Sequence, residues 1–254
     1  MADIRPLILI SNDDGIEAKG LRFLIECVND IGEVIAVAPS GPRSGQSSAI
    51  TVDAPLRIKQ HPDYDGAGMY SVTGTPVDCI KLAMHAIVPR RPDIVLSGIN
   101  HGSNSGNSVI YSGTMGAAME ACMLGIPAVG FSLLHHSLDA DFTECRPIVE
   151  SITRNVLEDG LPKQVCLNVN IPALCVPKGI KIVRASRGYW TEEYADYIDP
   201  HGKPYYWLTG RFKDEDPDNP DTDNYWLERE YATVVPVRPD QTAVDHIDGL
   251  RFEL

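Results

Sequence analysis

Pro6-Leu7-Ile8-Leu9-Ile10 is an unbroken apolar run that stops abruptly at Ser11-Asn12-Asp13-Asp14-Gly15. A run with no polar interruption reads as a β-strand covered on both faces, the condition of a strand inside a parallel sheet. In open α/β sheets ligands sit beyond the carboxyl ends of the strands, and that is where this strand delivers two adjacent carboxylates. Neighbouring anions at such a place repel each other and lose hydration, so an opposite charge is needed beside them. Hard oxygen donors suit Mg²⁺ or Mn²⁺, and the pair reads as a divalent-cation site.

The residues that follow repeat the strand-then-helix alternation. Leu21, Leu24, Ile25, Val28 and Ile31 share one helical face, Gly32 closes the segment, and residues 33–38 form a second apolar run, giving a right-handed β-α-β unit. Residues 39–48 make a loop of small and polar residues that contains Arg43 and Ser44. Thr75-Pro76-Val77-Asp78 is a helix start in which Thr75 caps and Pro76 suits the first turn. Residues 92–100 read as a third strand with Asn100 at its tip. A Gly/Ser/Asn-rich loop then runs from His101 to Gly113, a helix carries Met115, Ala118, Met119, Cys122 and Met123 to a stop at Gly125-Ile126-Pro127, and residues 128–133 return as a strand. This alternation predicts an α/β fold with a Rossmann-like, doubly wound, mostly parallel sheet.

Residues 1–135 are expected to form the Rossmann-like core that carries the metal and phosphate site. Residues 136–254 are expected to complete the sheet and add a smaller β-rich extension. Within it, 164–171 and 180–185 read as strands, the aromatic stretch 189–208 as a projecting hairpin, the acidic stretch 213–224 as a solvated loop, and 231–237 as a late strand whose Pro236 suggests an edge.

Composition removes several classes of function. With 254 residues and 43% hydrophobic content the chain can bury a sizeable core, yet no apolar stretch is long enough to span a bilayer. The N-terminus shows no signal-peptide pattern, and six cysteines without a Cys-x-x-Cys pair fit a reducing compartment, so a cytoplasmic protein with no membrane partner is expected. A net charge of −13 argues against long nucleic acid as a partner. The sequence also lacks the glycine patterns of dinucleotide and P-loop sites, the Gly-x-Ser-x-Gly elbow and the zinc-protease His-Glu-x-x-His.

What remains is a convergence of oxygen donors. If the first three strands are neighbours, Asp13 and Asp14, Ser44, and Asn100 meet at one sheet edge as metal ligands, with Asp13, Asp14 and Asn100 also serving catalysis. The loop residues Gly102, Ser103, Asn104, Ser105 and Gly106, with Ser112, Gly113 and Thr114 at a helix start, form a phosphate seat of small donors and a positive helix end. His101 beside Asn100, and the pair His135-His136, read as structural. A metal-dependent sugar-nucleotide transferase and a nucleotide-binding protein without turnover are the alternative readings.

Taken in order, these motifs resemble the SurE family of survival-protein 5′/3′-nucleotidases. The likeness lies in Ser11-Asn12-Asp13-Asp14-Gly15-Ile16, in Val37-Ala38-Pro39-Ser40 through Arg43-Ser44, and in Thr73-Gly74-Thr75-Pro76-Val77-Asp78-Cys79. It continues in Leu96-Ser97-Gly98-Ile99-Asn100, Tyr111-Ser112-Gly113-Thr114 and Leu167-Asn168-Val169-Asn170-Ile171-Pro172. The resemblance implies a phosphatase of 5′- and 3′-nucleoside monophosphates, with a divalent cation (Mg²⁺ or Mn²⁺) on the residues matching Asp13, Asp14, Ser44 and Asn100. It also implies a homodimer or homotetramer that exchanges C-terminal elements. Asn107 departs from the family pattern, which often has aspartate there.

Overall fold

The computed structural model describes residues 5–137 and 139–252. Its first half runs β1 (Leu7–Ser11), α1 (Lys19–Val28), β2 (Glu33–Pro39), β3 (Ile58–Tyr64), β4 (Ala67–Val72), α2 (Pro76–Leu82), β5 (Ile94–His101), α3 (Gly113–Met123) and β6 (Ala128–Leu133). There follow α4 (Arg146–Asp159), β7 (Cys166–Ile171), β8 (Ile180–Ile182), β9 (Gly188–Thr191), β10 (Tyr194–Ile198), β11 (Pro204–Leu208), β12 (Arg211–Asp214), α5 (Asp223–Leu227) and β13 (Ala232–Val237).

Nine of these strands make one sheet in the order β3-β4-β2-β1-β5-β6-β7-β13-β8. All neighbours from β4 to β7 run parallel, whereas β3 and β13 run antiparallel to their partners β4 and β7. The fold is therefore the α/β, Rossmann-like arrangement expected. β1 lies where the chain order reverses, with β2 on one side and β5 on the other, so its carboxyl end opens into the crevice of a topological switch point.

Packing explains why β1 lies inside the sheet. Successive side chains point to opposite faces, and the strand is apolar on both. Ile8 and Ile10 join Leu24, Ile25 and Val149 in the core layer under α1 and α4, while Leu9 joins Ile80, Val95 and Ala118 in the layer under α2 and α3. α2 begins with a complete capping box: Thr75 Oγ1 accepts from the Asp78 N–H at 3.2 Å, and the Asp78 carboxylate accepts from the Thr75 N–H at 2.9 Å.

Several expectations are corrected at the edges. β3 and β4 form a hairpin with no counterpart in the sequence reading, turned by Asp65 and Gly66, both at positive φ. The strand expected over 180–185 stops at Ile182. β13 is not an edge strand, since it lies between β7 and β8. Pro236 is tolerated because β8 pairs only as far as Val234, which leaves Pro236 facing β7 alone.

The aromatic stretch forms a long ribbon outside the sheet: β9 pairs with β12 at its root and β10 with β11 beyond. The acidic stretch is not wholly solvated either. Lys213 and Asp214 belong to β12, and Asp223 is fully buried at the start of α5. No described helix is long and apolar enough to cross a membrane.

Leu9→Ala removes a fully buried side chain between β1 and the α2/α3 layer. It should cost about 2–5 kcal/mol of unfolding free energy, read as a lower urea midpoint at unchanged slope. A loss under about 0.5 kcal/mol would show that this layer repacks freely.

Candidate functional site

The three central parallel strands end side by side, and their loops are stitched together by backbone hydrogen bonds. Ile16 N–H donates to the Pro39 carbonyl at 2.9 Å, and Arg43 N–H donates to the Asp13 carbonyl at 2.7 Å. The Asn12 side chain closes the turn locally, accepting from Gly15 N–H and donating to the Gly15 carbonyl. Asn12 thus spends its amide on holding the acid pair in place.

Two clefts open on this convergence. One, of 440 Å³, is lined by Asp13, Ser44 and Asn100 together with Ser103, Asn104 and Ser112. The other, of 670 Å³, takes Asp14, Ser44, Ser40 and His136. Ser44 and His101 line both, so they form the partition between them. A third depression, of 300 Å³, lies at the amino ends of β6 and β7, and Lys163 is its one charged residue. It has no part in this chemistry.

Asp13 is 4% exposed. Its Oδ1 accepts the Thr114 hydroxyl at 2.5 Å, and a side chain at Gly113 would come within 2.9 Å of its carboxylate. Glycine at the first position of α3 therefore lets the positive helix end reach the acid. Burial nevertheless pushes the Asp13 carboxyl up to about 6; hydrogen bonding from Thr114 works against the shift and the charge of Asp14 adds to it. Asp14 is likewise held above the usual carboxylate range by burial, with the nearby His101 opposing. Its Oδ2 accepts from the His101 N–H at 3.3 Å.

Each acid thus has one oxygen occupied by the protein and one left for a ligand. Asn100 is prepared in the same way: its amide nitrogen donates to the Gly102 carbonyl at 2.8 Å, leaving the amide oxygen toward the cleft. Among the described residues no cluster of three or more His, Cys, Asp or Glu side chains exists that would hold a metal. The donors here are two carboxylates with neutral hydroxyl and amide oxygens. That set fits a hard cation such as Mg²⁺ or Mn²⁺ and gives a thiophilic metal no preferred ligand.

The loop after Asn100 is held from behind by buried amides. Asn170 Oδ1 accepts from Asn104 N–H at 2.8 Å, Asn168 Nδ2 donates to the Asn104 carbonyl at 2.8 Å, and Asn104 Nδ2 donates to Ser132 Oγ at 2.8 Å. Asp223 accepts from Gly106 N–H and from Ser186 N–H, each at 2.8 Å, and Ser105 Oγ donates to Asn224. Gly102 N–H is taken by the Leu133 carbonyl. Ser103, Asn104 and Ser112 line the cleft, whereas Gly102, Ser105, Gly106, Gly113 and Thr114 lie behind its wall.

Asn107 turns away and donates to the Gly188 carbonyl at 2.9 Å, tying the loop to the ribbon root in a way an aspartate could not. The His101 ring packs edge-on against Phe142 at 5.1 Å, and its Nδ1 is buried without a protein partner. Sequence reasoning missed Asp223 and the ribbon-root residues Trp190, Glu193 and Tyr194. Asn168 and Asn170, two amides alternating in an apolar strand, are the sequence signal of this buried polar network.

The family described as Survival protein SurE matches residues 8–192. The 5′-nucleotidase SurE of Phocaeicola vulgatus is 47% identical over 247 residues, covering 97% of this chain and 96% of the relative. That of Christiangramia forsetii is 50% identical over 250 residues, with 97% and 96% covered. The crystal structure of the SurE protein from Aquifex aeolicus superposes with a TM-score of 0.83 at 36% identity, covering 96% of this chain and 98% of that one.

The Asp13 carboxyl carries a stability signature. Because its folded value lies above the free one, the contribution is present below pH 4 and lost as pH rises through about 6, a decline of roughly 3 kcal/mol. Asp13→Asn should flatten that decline in urea unfolding of cation-free protein and be the more stable form at pH 7. It should also lose the stabilisation that Mg²⁺ or Mn²⁺ gives the wild type. Parallel pH profiles for the two proteins would sink the assignment.

Proposed function

This chain belongs to the survival protein SurE family, and on that premise we propose that it is a 5′-nucleotidase, hydrolysing nucleoside monophosphates to nucleoside and phosphate with a divalent cation. The observation that carries this reading is the meeting of Asp13, Ser44 and Asn100, from three separate strand ends, on one cleft with Asp14 just across the partition. Asp13, Asp14, Ser44 and Asn100 would hold the cation. When bound, such a cation offsets phosphoryl charge and lowers the pKa of water.

The chain's own residues set the rest. Asp13 makes a poor nucleophile, because Oδ1 is fixed by Thr114 and its other oxygen is a cation donor, so water is the attacking group. Asp14, the less buried acid, orients that water through the oxygen not bonded to His101. The phosphoryl oxygens are received by donors not already spent inside the protein. These are the hydroxyls of Ser108 and Ser112, both of which line the cleft. Asn104 and Gly106 serve by shaping the loop, since their N–H groups are taken by Asn170 and Asp223.

A cytoplasmic setting is supported by six free cysteines, five of them buried. A homodimer or homotetramer is supported by the exposed apolar side chains of the ribbon's outer part and of the C-terminal tail: Ile198, Trp207, Val244, Leu250 and Phe252 are each more than 60% exposed. Light scattering on purified protein should give at least twice the chain mass, and Trp207→Asp with Phe252→Asp should shift it toward monomer. A monomer at micromolar concentration would contradict this part of the reading.

Phosphate release should appear with Mg²⁺ or Mn²⁺ and nucleoside monophosphates, vanish on exhaustive EDTA dialysis, and return with added cation. Asp13→Asn should lower turnover at least about a thousandfold, the scale expected for a group central to charge stabilisation. Tight nucleotide binding without phosphate release would point instead to a binding protein. Turnover that survives chelation would remove the cation.

A further inference from the structure

Resting on the nucleoside monophosphatase reading, we infer that the root of the aromatic ribbon is the wall that receives the nucleobase, and that Glu193 makes the site prefer guanine to adenine. The cleft that takes Asp13, Ser44 and Asn100 is completed by Trp190, Glu193, Tyr194, Leu208 and Thr209. The first set is all oxygen and amide chemistry suited to a phosphoester. Aromatic and aliphatic side chains offer a dianion nothing, and they suit a flat heterocycle.

The aromatic part is built to stay in place. Trp190 meets Phe212 edge-to-face with ring centroids 5.9 Å apart. A side chain at Gly210, whose φ is +120°, would come 3.1 Å from Trp190 Cε3, so the indole lies against bare backbone. It remains 37% exposed. Tyr194 stands directly opposite Leu208 in the next ladder. Neither residue fills a core, and both line the cleft.

Glu193 arrives at the cleft through an irregularity. The ladder of β9 with β12 and the ladder of β10 with β11 are separate, and the chain bends between them with Glu192 in the left-handed region at φ +53°. The bend is fixed by Thr209, whose N–H donates to the Glu193 carbonyl at 2.8 Å and whose hydroxyl donates to the Glu192 carbonyl at 2.9 Å. A carboxylate beside an anion-binding cleft is unfavourable unless N–H donors meet it. Guanine offers two adjacent donors, N1–H and the 2-amino group, which match the two oxygens of one carboxylate. Adenine sets a ring acceptor next to its amino donor, and that acceptor faces the second oxygen.

The test compares kcat/KM for GMP, AMP and glycerol 1-phosphate, a monoester without a base, in wild type, Glu193→Gln, Trp190→Ala and Trp190→Phe. Wild type should favour GMP over AMP by about tenfold or more, and Glu193→Gln, whose amide offers one acceptor and one donor, should erase or reverse that ratio. Trp190→Ala should raise KM for both nucleotides so that they lose at least about tenfold more than glycerol 1-phosphate does, and Trp190→Phe should recover most of it. Equal turnover of GMP and AMP, an unchanged ratio in Glu193→Gln, or equal losses for all three substrates in Trp190→Ala would each overturn the inference. A wild type that hydrolyses none of the three overturns the phosphatase reading instead.

Discussion

A carboxylate buried almost completely at the floor of a cleft is the constraint from which the rest of the site follows. Asp13 is buried at the end of an interior strand with a second acid adjacent in sequence, and the Thr114 hydroxyl and the start of α3 compensate it only in part. Removing a charge from water costs more than one neutral hydrogen bond returns, so the carboxyl keeps a proton up to about pH 6. A site with that deficit binds a cation well because the cation supplies what the protein withholds. The sheet order delivers the acid there: only a strand flanked by neighbours leading in opposite directions ends in an open crevice.

The second half of the chain serves this crevice by fastening its loop from behind. Asn168 and Asn170 on β7 and Ser132 on β6 fasten Asn104, and Asp223 fastens Gly106 across more than a hundred residues. Buried amides of this kind are stable only when every partner is present, so the network gives the loop a single conformation. The Asn107 bond to the Gly188 carbonyl extends the same fastening to the ribbon root. Phosphate loop and ribbon root are thereby one mechanical piece.

Legibility from sequence followed burial. Strands covered on both faces, such as β1 and β5, announce themselves as apolar runs, and their ends point to Asp13, Asp14 and Asn100 without any coordinates. β3 gave no such signal, because residues 58–64 form a polar edge strand with a proline and an irregular register, and the Asp65-Gly66 turn that closes its hairpin carries no apolar run beside it on that side. Asp223 was hidden for a different reason. An acidic stretch with prolines is usually solvated, and the one buried acid among its neighbours is distinguished by backbone N–H groups of Gly106 and Ser186, which lie far away in sequence. The ribbon-root residues were recognisable as aromatic but not as cleft-facing, because the bend at Glu192 that turns Glu193 inward is a backbone event with no residue signature of its own.

There is a trade between rigidity and anion binding in loop 101–113. A flexible Gly/Ser/Asn loop offers many N–H groups to a phosphate, but ordering it on binding would cost the entropy of each residue fixed. Here most of those donors are already bonded to Asn170, Asp223 and the Leu133 carbonyl, so the loop is fixed in advance and few neutral donors remain. In a chain of net charge −13 those few cannot offset a dianion. The remaining compensation has to come from the start of α3 and from a cation on the acid pair, which makes cation dependence a consequence of how the loop is held as much as of the two aspartates themselves.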